Sequence, residues 1–361
     1  MTTDFSSSSD HKPNIDDSLY SHFLEHGFKR QRVRVPQHKD DPTLDLSLHV
    51  IWREPSNESQ TDTQISNLLL LHGHPQSALI WSRMAHLLPR NVRIIIPDLR
   101  GHGLSDAPPI ERKDDGDYAN EAMSQRYSKR EMGRDVVEVV KALGAKEDGR
   151  WAIVGHDRGG RVAHRLGLDF PKLFTHIMLL DIAPTVDMYK KTGPDFAKAY
   201  WHWFFLIQPH PFPEEMILAK PTGYLQKMTS RFPSSSSSSS SSSTALHPPE
   251  ILASYAATLS SPLHVQATCE DYRCSSMGGS DWIADETSAA QGQKVKARVR
   301  VLWGTRGVIE KLYGRQSVMQ MWGEKCLNLD QEGSKALEGG HYLPEEVPDQ
   351  LRKEIEDFMG L

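Results

Sequence analysis

Cysteine is scarce in this chain: 361 residues hold Cys269, Cys274 and Cys326. Three thiols make no even disulfide set, and their spacing matches no thiolate metal site, so a stapled secreted scaffold is excluded and a reducing compartment is favoured. They read as packing residues, and the cytoplasm is the expected location. Long apolar runs are missing too; none approaches the roughly 20 residues that a membrane span requires. The opening "MTTDFSSSSDHKP" lacks the apolar stretch of a secretory signal. An excess of one charge is also absent. Lys and Arg number 42 against 47 Asp and Glu, a net charge of -5, which offers no basic field for nucleic acid.

What remains has a clear rhythm. Residues 1–18 are polar and serine-rich, which predicts a disordered tail. "FKRQRVRVP" and "LDLSLHVIW" alternate in polarity around the turn-rich "QHKDDPT", the pattern of an antiparallel strand pair. "NLLLLHG", "VRIIIPD", "WAIV", "HIMLLDI" and "ARVRVLWG" are short apolar runs. Strands of that kind are covered on both faces, as in a parallel sheet. "ALIWSRMAHLL" carries helical spacing, and "YSKREMGRDVVEVVKALG" carries more, with Ser128 and Glu131 as a capping box. "EEVPDQLRKEIEDFM" closes the chain as a helix. The reading is therefore α/β, with a mostly parallel central sheet flanked by helices. Its core is expected over 19–184 and 291–361. The segment 185–290, rich in Trp, Pro and Tyr, is read as an inserted helical lid, and its run Ser234 to Ser243 as a surface loop with too little apolar surface to order.

The chemistry centres on "WAIVGHDRGG", where a strand meets a glycine-rich turn with Asp157 at its middle. A side chain so placed can cap the following helix or stand as the nucleophile of a strand-turn-helix elbow, the arrangement of the α/β-hydrolase fold. Three features favour the second reading. "LLLLHGHPQ" puts His74 where an oxyanion loop belongs, its backbone N–H joining that of Arg158. "LEGGHYLPEEVP" puts His341 in a glycine-rich loop before the last helix, in the chain order nucleophile, acid, histidine. For the acid, "VRVLWGTRGVIEK" offers Arg306 and then Glu310, so Asp181, ending the strand before the lid, is the better partner for His341.

An ordinary aspartate, pKa about 3.9, is already anionic at neutral pH and needs no base to become a nucleophile. It can displace a leaving group from saturated carbon, after which His341 activates water against the resulting ester. Carbon–halogen bonds and epoxide rings suit this chemistry better than ordinary esters.

"GHDRGGRVAHRLGLDFP", "LDIAPT", "AYWHWFFLIQP", "CEDYR" and "GGHYL" together resemble haloacetate (fluoroacetate) dehalogenases, within the wider group of dehalogenases and epoxide hydrolases of the α/β-hydrolase fold. The resemblance runs from about Phe28 onward. It implies Asp157 as nucleophile, His341 as base and Asp181 as its acid. Arg158 and Arg161 would hold a substrate carboxylate, and His202, Trp203 and Tyr272 would receive the departing halide. Epoxide hydrolases typically have Trp at the position of Arg158. The expected partner is a small, carboxylated molecule, with no metal, cofactor, nucleic acid or membrane involved, and a homodimer is compatible with the reading. Two alternatives stay open: epoxide opening, for which Tyr200, Tyr224, Tyr255 and Tyr272 could protonate the oxygen, and a ligand receptor without turnover.

Overall fold

A computed structural model describes residues 13–37, 40–56, 67–144, 150–229 and 248–361. Nine strands form one sheet: β1 (Lys29–Val35), β2 (Leu46–Arg53), β3 (Asn67–Leu71), β4 (Arg93–Pro97), β5 (Trp151–His156), β6 (Phe174–Leu180), β7 (Val295–Gly304), β8 (Cys326–Leu329) and β9 (Lys335–Leu337). Their spatial order is β1-β2-β4-β3-β5-β6-β7-β8, with β9 also on β7. β1 and β2 pair antiparallel, as do β2 and β4. From β4 through β3, β5, β6 and β7 to β8 and β9 every pairing is parallel. The central strands show why: Leu68–Leu71, Ile94–Ile96 and Trp151–Val154 are buried without alternation, since helices cover both faces.

The helix Lys129–Ala142 starts at Ser128, whose side chain accepts the N–H of Glu131 at 3.2 Å. Glu131 also accepts from Arg134 at 2.6 Å, and the Ser128 N–H donates to the Gln125 carbonyl at 2.8 Å. "ALIWSRMAHLL" forms two 3₁₀ turns, Ala78–Trp81 and Ala85–Leu87, in place of one α-helix. Asp98, reaching in from the end of β4, accepts the Ala78 N–H at 2.6 Å and fixes the entry to this segment.

The predicted tail was drawn too long. Pro13 and Ile15 are buried, and Asp17–Tyr20 is a 3₁₀ turn capped by Asp16, whose carboxylate accepts the Ser18 N–H at 2.8 Å. Tyr20 is fully buried in the main core, so apolar anchoring orders a stretch whose composition looked disordered. Residues 1–12 and the serine run 234–243 lie outside the described residues. Between β6 and β7 stand eight helices, from Thr185–Lys190 to Ser280–Ala290, with no strand among their described residues. No helix of the described residues is long and apolar enough to cross a membrane.

Candidate active site

Three strand ends bring the site together at the carboxyl edge of the sheet, where open α/β sheets leave their crevice. β5 and β6 lie in register, His156 beside Leu180, so the residues that follow, Asp157 and Asp181, are neighbours. Both have positive φ, 48° and 52°, a region that L side chains rarely adopt. The Asp157 turn is possible because its flanks are glycines. A Cβ on Gly159 would sit 2.4 Å from the His72 carbonyl oxygen, and one on Gly155 2.6 Å from that of Gly159.

Asp157 does not cap the helix Arg158–Asp169 with its side chain. Its Oδ1 instead accepts the backbone N–H of His74 at 3.1 Å. The loop is pressed so closely on the elbow that a Cβ on Gly73 would meet Asp157 Cβ at 2.5 Å and Arg158 N at 3.0 Å. Arg158 opens its helix, so its N–H has no partner within that helix. Burial resists ionisation of Asp157, but His341, His156, Arg161 and Arg158 outweigh it and hold the carboxyl well below the usual range.

His341 Nδ1 lies 2.6 Å from Asp181 Oδ2, while Asp181 Oδ1 accepts the Gly304 N–H at 3.0 Å. Burial pushes the Asp181 carboxyl up despite its bond to His341. The histidine loop is held by residues to which the sequence assigned no such role. Glu346 accepts the N–H of Gly340 at 2.7 Å and of Tyr342 at 3.0 Å, clamping the backbone on either side of His341. Arg306, standing where an acid was sought, pairs with Glu346 at 3.0 Å. His156 Nε2 donates to the His341 carbonyl at 2.8 Å. Burial lowers His156 to about 3, so it stays a neutral prop. Glu310 is occupied by Trp303 Nε1.

The two arginines differ. Arg158 is buried and its Nε and Nη2 each donate to a carboxylate oxygen of Asp271 at 2.7 Å; Nη2 also reaches Ser275 Oγ at 2.7 Å. The carboxylate of Asp271 also contacts Lys129, itself 3.9 Å from Asp281. The expectation that Arg158 is a free carboxylate fork is thereby revised: two of its three nitrogens are committed to the insertion, because a buried guanidinium needs a counter-ion. Asp271 lies inside "CEDYR", a motif read for Tyr272 alone. Arg161 is equally buried, but its donors go to neutral groups, the Ala183 carbonyl at 3.2 Å and Thr185 Oγ1 at 2.5 Å. Among the described residues it has no carboxylate ion pair, and its Nε has no protein acceptor.

The Arg161 guanidinium sits 4.8 Å over the Trp203 ring and that of Arg158 4.2 Å over Tyr272. His202 and Trp203 approach Tyr272 at ring distances of 5.7 and 6.5 Å, and Trp203 Nε1 is buried without a protein acceptor among the described residues. Of the other tyrosines, Tyr224 shares a 3.1 Å hydrogen bond with His74 Nε2, Tyr255 meets Glu345 at 3.4 Å, and Tyr200 stacks on Phe196.

Residues 67–263 match the alpha/beta hydrolase fold family. The chain is 33% identical to a fluoroacetate dehalogenase from a Burkholderia species, over 81% of this chain and 86% of that protein. It is 27% identical to a soluble epoxide hydrolase from a Corynebacterium species, over 78% and 85%. A Nostoc structure assigned as an alpha/beta hydrolase is 35% identical, with a TM-score of 0.74 over 91% of this chain and 98% of that one.

Proposed function

The chain belongs to the alpha/beta hydrolase family and is a hydrolase, and from that premise we propose that it cleaves the carbon–halogen bond of a short 2-haloacid through a covalent ester on Asp157. The observation that carries this reading is the elbow carboxylate of Asp157 near Arg161, a buried guanidinium that has no carboxylate ion pair among the described residues. A guanidinium in that condition recognises an anionic substrate group strongly.

In the first step Asp157 Oδ2 attacks the halogen-bearing carbon and the halide leaves with the bonding electron pair. His202, Trp203 and Tyr272 supply ring N–H and O–H donors toward the departing anion. In the second step His341 takes a proton from water, and the hydroxide attacks the carbonyl carbon of the Asp157 ester. Asp181 steadies the imidazolium so formed. Negative charge then develops on Oδ1, which the His74 N–H already holds, with the Arg158 N–H proposed as the second donor. Collapse releases the 2-hydroxyacid with the proton from His341 and restores Asp157. The buried, unlinked thiols suit a reducing compartment such as the cytoplasm.

Purified protein should release fluoride or chloride from haloacetates and yield the 2-hydroxyacid. Arg161→Gln should raise KM by roughly 10- to 100-fold, the loss expected of a charge-assisted bond worth about 1.5–3 kcal/mol. A neutral haloalkane should be far less sensitive to that change. No halide release with efficient opening of an epoxide would reject the haloacid reading. That second outcome has one observation in its favour: the rings of Tyr224 and Tyr272 both flank His74, at 6.0 and 5.8 Å.

A further inference from the structure

A second group of chemistry-bearing side chains involves none of the residues above. His22 lies in the short helix Ser21–Glu25 and His26 caps its end, four residues apart and so on one helical face. His86 comes from the 3₁₀ turn Ala85–Leu87. The three rings crowd together, with centroids 4.4, 4.4 and 4.6 Å apart. One ligand-type nitrogen from each lies within 4.8 Å of the others, and among the described residues no other His, Cys, Asp and Glu side chains meet in this way.

We infer that His22, His26 and His86 bind one borderline divalent cation of the zinc, nickel and copper group. His22 Nε2 and His86 Nδ1 are 3.1 Å apart, and His86 Nδ1 donates to the Ser82 carbonyl at 3.1 Å, which leaves its Nε2 for a metal. His26 Nδ1 donates to the His22 carbonyl at 2.7 Å. That bond fixes the tautomer and leaves Nε2 for a metal, the orienting arrangement usual for ligating histidines. Neutral imidazoles select zinc, nickel or copper over hard cations such as magnesium and calcium. Arg53 and Arg90 stand near this group and Glu25 beside His22, so the donors are the rings themselves, with no carboxylate among them.

All three rings are half-buried, and His22 and His86 line an open groove of about 690 Å³ together with Arg83, Glu250 and Asp349. A cation held by three rings keeps a coordination position free, and the groove gives water or a small ligand access to it. Bound metal would tie the segment preceding β1 to the turn that follows β3, a clip between parts of the chain about 60 residues apart in sequence.

The test uses tag-free full-length protein, stripped with chelator and desalted, at pH 7.5. Calorimetric titration with zinc chloride should show one equivalent bound with micromolar or tighter affinity, and cobalt(II) should give visible absorption bands of a low-coordinate site. His86→Gln and His26→Gln should each weaken zinc binding at least tenfold, since even outer-shell changes cost a metal site ~10–100-fold. His26→Gln, at a helix end, should keep the halide-release rate or whatever hydrolase activity the protein has, showing that the fold is intact. Zinc should also raise the thermal midpoint of the unaltered protein and not of the variants. Absence of micromolar binding, or equal binding by both variants, would remove the site.

Discussion

His341→Gln should release one equivalent of halide per enzyme and then stop. The first displacement needs only the carboxylate of Asp157, which its neighbours keep ionised. Hydrolysis of the ester needs a base, and glutamine offers none. Multiple turnover should fall by about 10²–10⁴-fold, the usual contribution of a positioned base, and intact-protein mass should rise by one carboxymethyl group after incubation with a haloacetate. Asp157→Asn should give neither burst nor adduct. A variant at His341 that keeps turning over without accumulating ester would sink the two-step mechanism, whatever the substrate. Asp181→Asn should resemble His341→Gln, because its carboxylate is what faces His341 Nδ1 at 2.6 Å.

Stability should fall steeply as the pH drops from 6.5 towards 4. His156 and His264 are buried, with burial lowering them to about 3 and about 4. His72 and His102 are lowered by burial as well. A histidine whose folded pKa is depressed binds its proton more readily when unfolded. Its cost is therefore absent above the unfolded value of 6.5 and grows with each unit below it, until the folded group also titrates. Each such group removes about 1.4 kcal/mol per pH unit, so His156 and His264 together remove on the order of 3 kcal/mol per unit around pH 5. Asp285, raised to about 6 by burial and by Asp281, and Asp181, raised by burial, work in the opposite direction, while His72 and His102 act in the same sense as His156 and His264. Against a total stability of about 5–15 kcal/mol, urea midpoints should drop markedly between pH 7 and pH 5. Midpoints unchanged over that range would show that these rings are protonated in the folded state.

Much of this was legible because it rests on local pattern. Continuous apolar runs announced β3, β4 and β5, and the glycines around Asp157 marked a turn that other residues could not make. Asp181 could be preferred over Glu310 because it ends the strand before the insertion, while Arg306 stands where an acid after the next strand would be. What stayed hidden depends on partners far away in sequence. Nothing around Arg158 reveals that Asp271, 113 positions later, occupies its fork. Glu346 had no role assigned to it, and its grip on Gly340 and Tyr342 depends on how the loop folds back over the helix. The helical spacing of "ALIWSRMAHLL" pointed to one helix, and the segment instead forms two 3₁₀ turns entered where Asp98 holds the Ala78 N–H. The early boundary failed for a similar reason: serines and acids dominate residues 1–18, yet Ile15 and the following Tyr20 supply the anchors.

The pairing of Arg158 with Asp271 joins a residue of the sheet core to one of the helical insertion. Any movement that draws the insertion away from the sheet takes the counter-ion with it and exposes two guanidinium groups beside Asp157. The anionic substrate proposed above would then compete with Asp271 for Arg158. On the haloacid reading, substrate binding would be a contest between two carboxylates for one cation. Its outcome would rank substrates by acidity and bulk before any bond is broken.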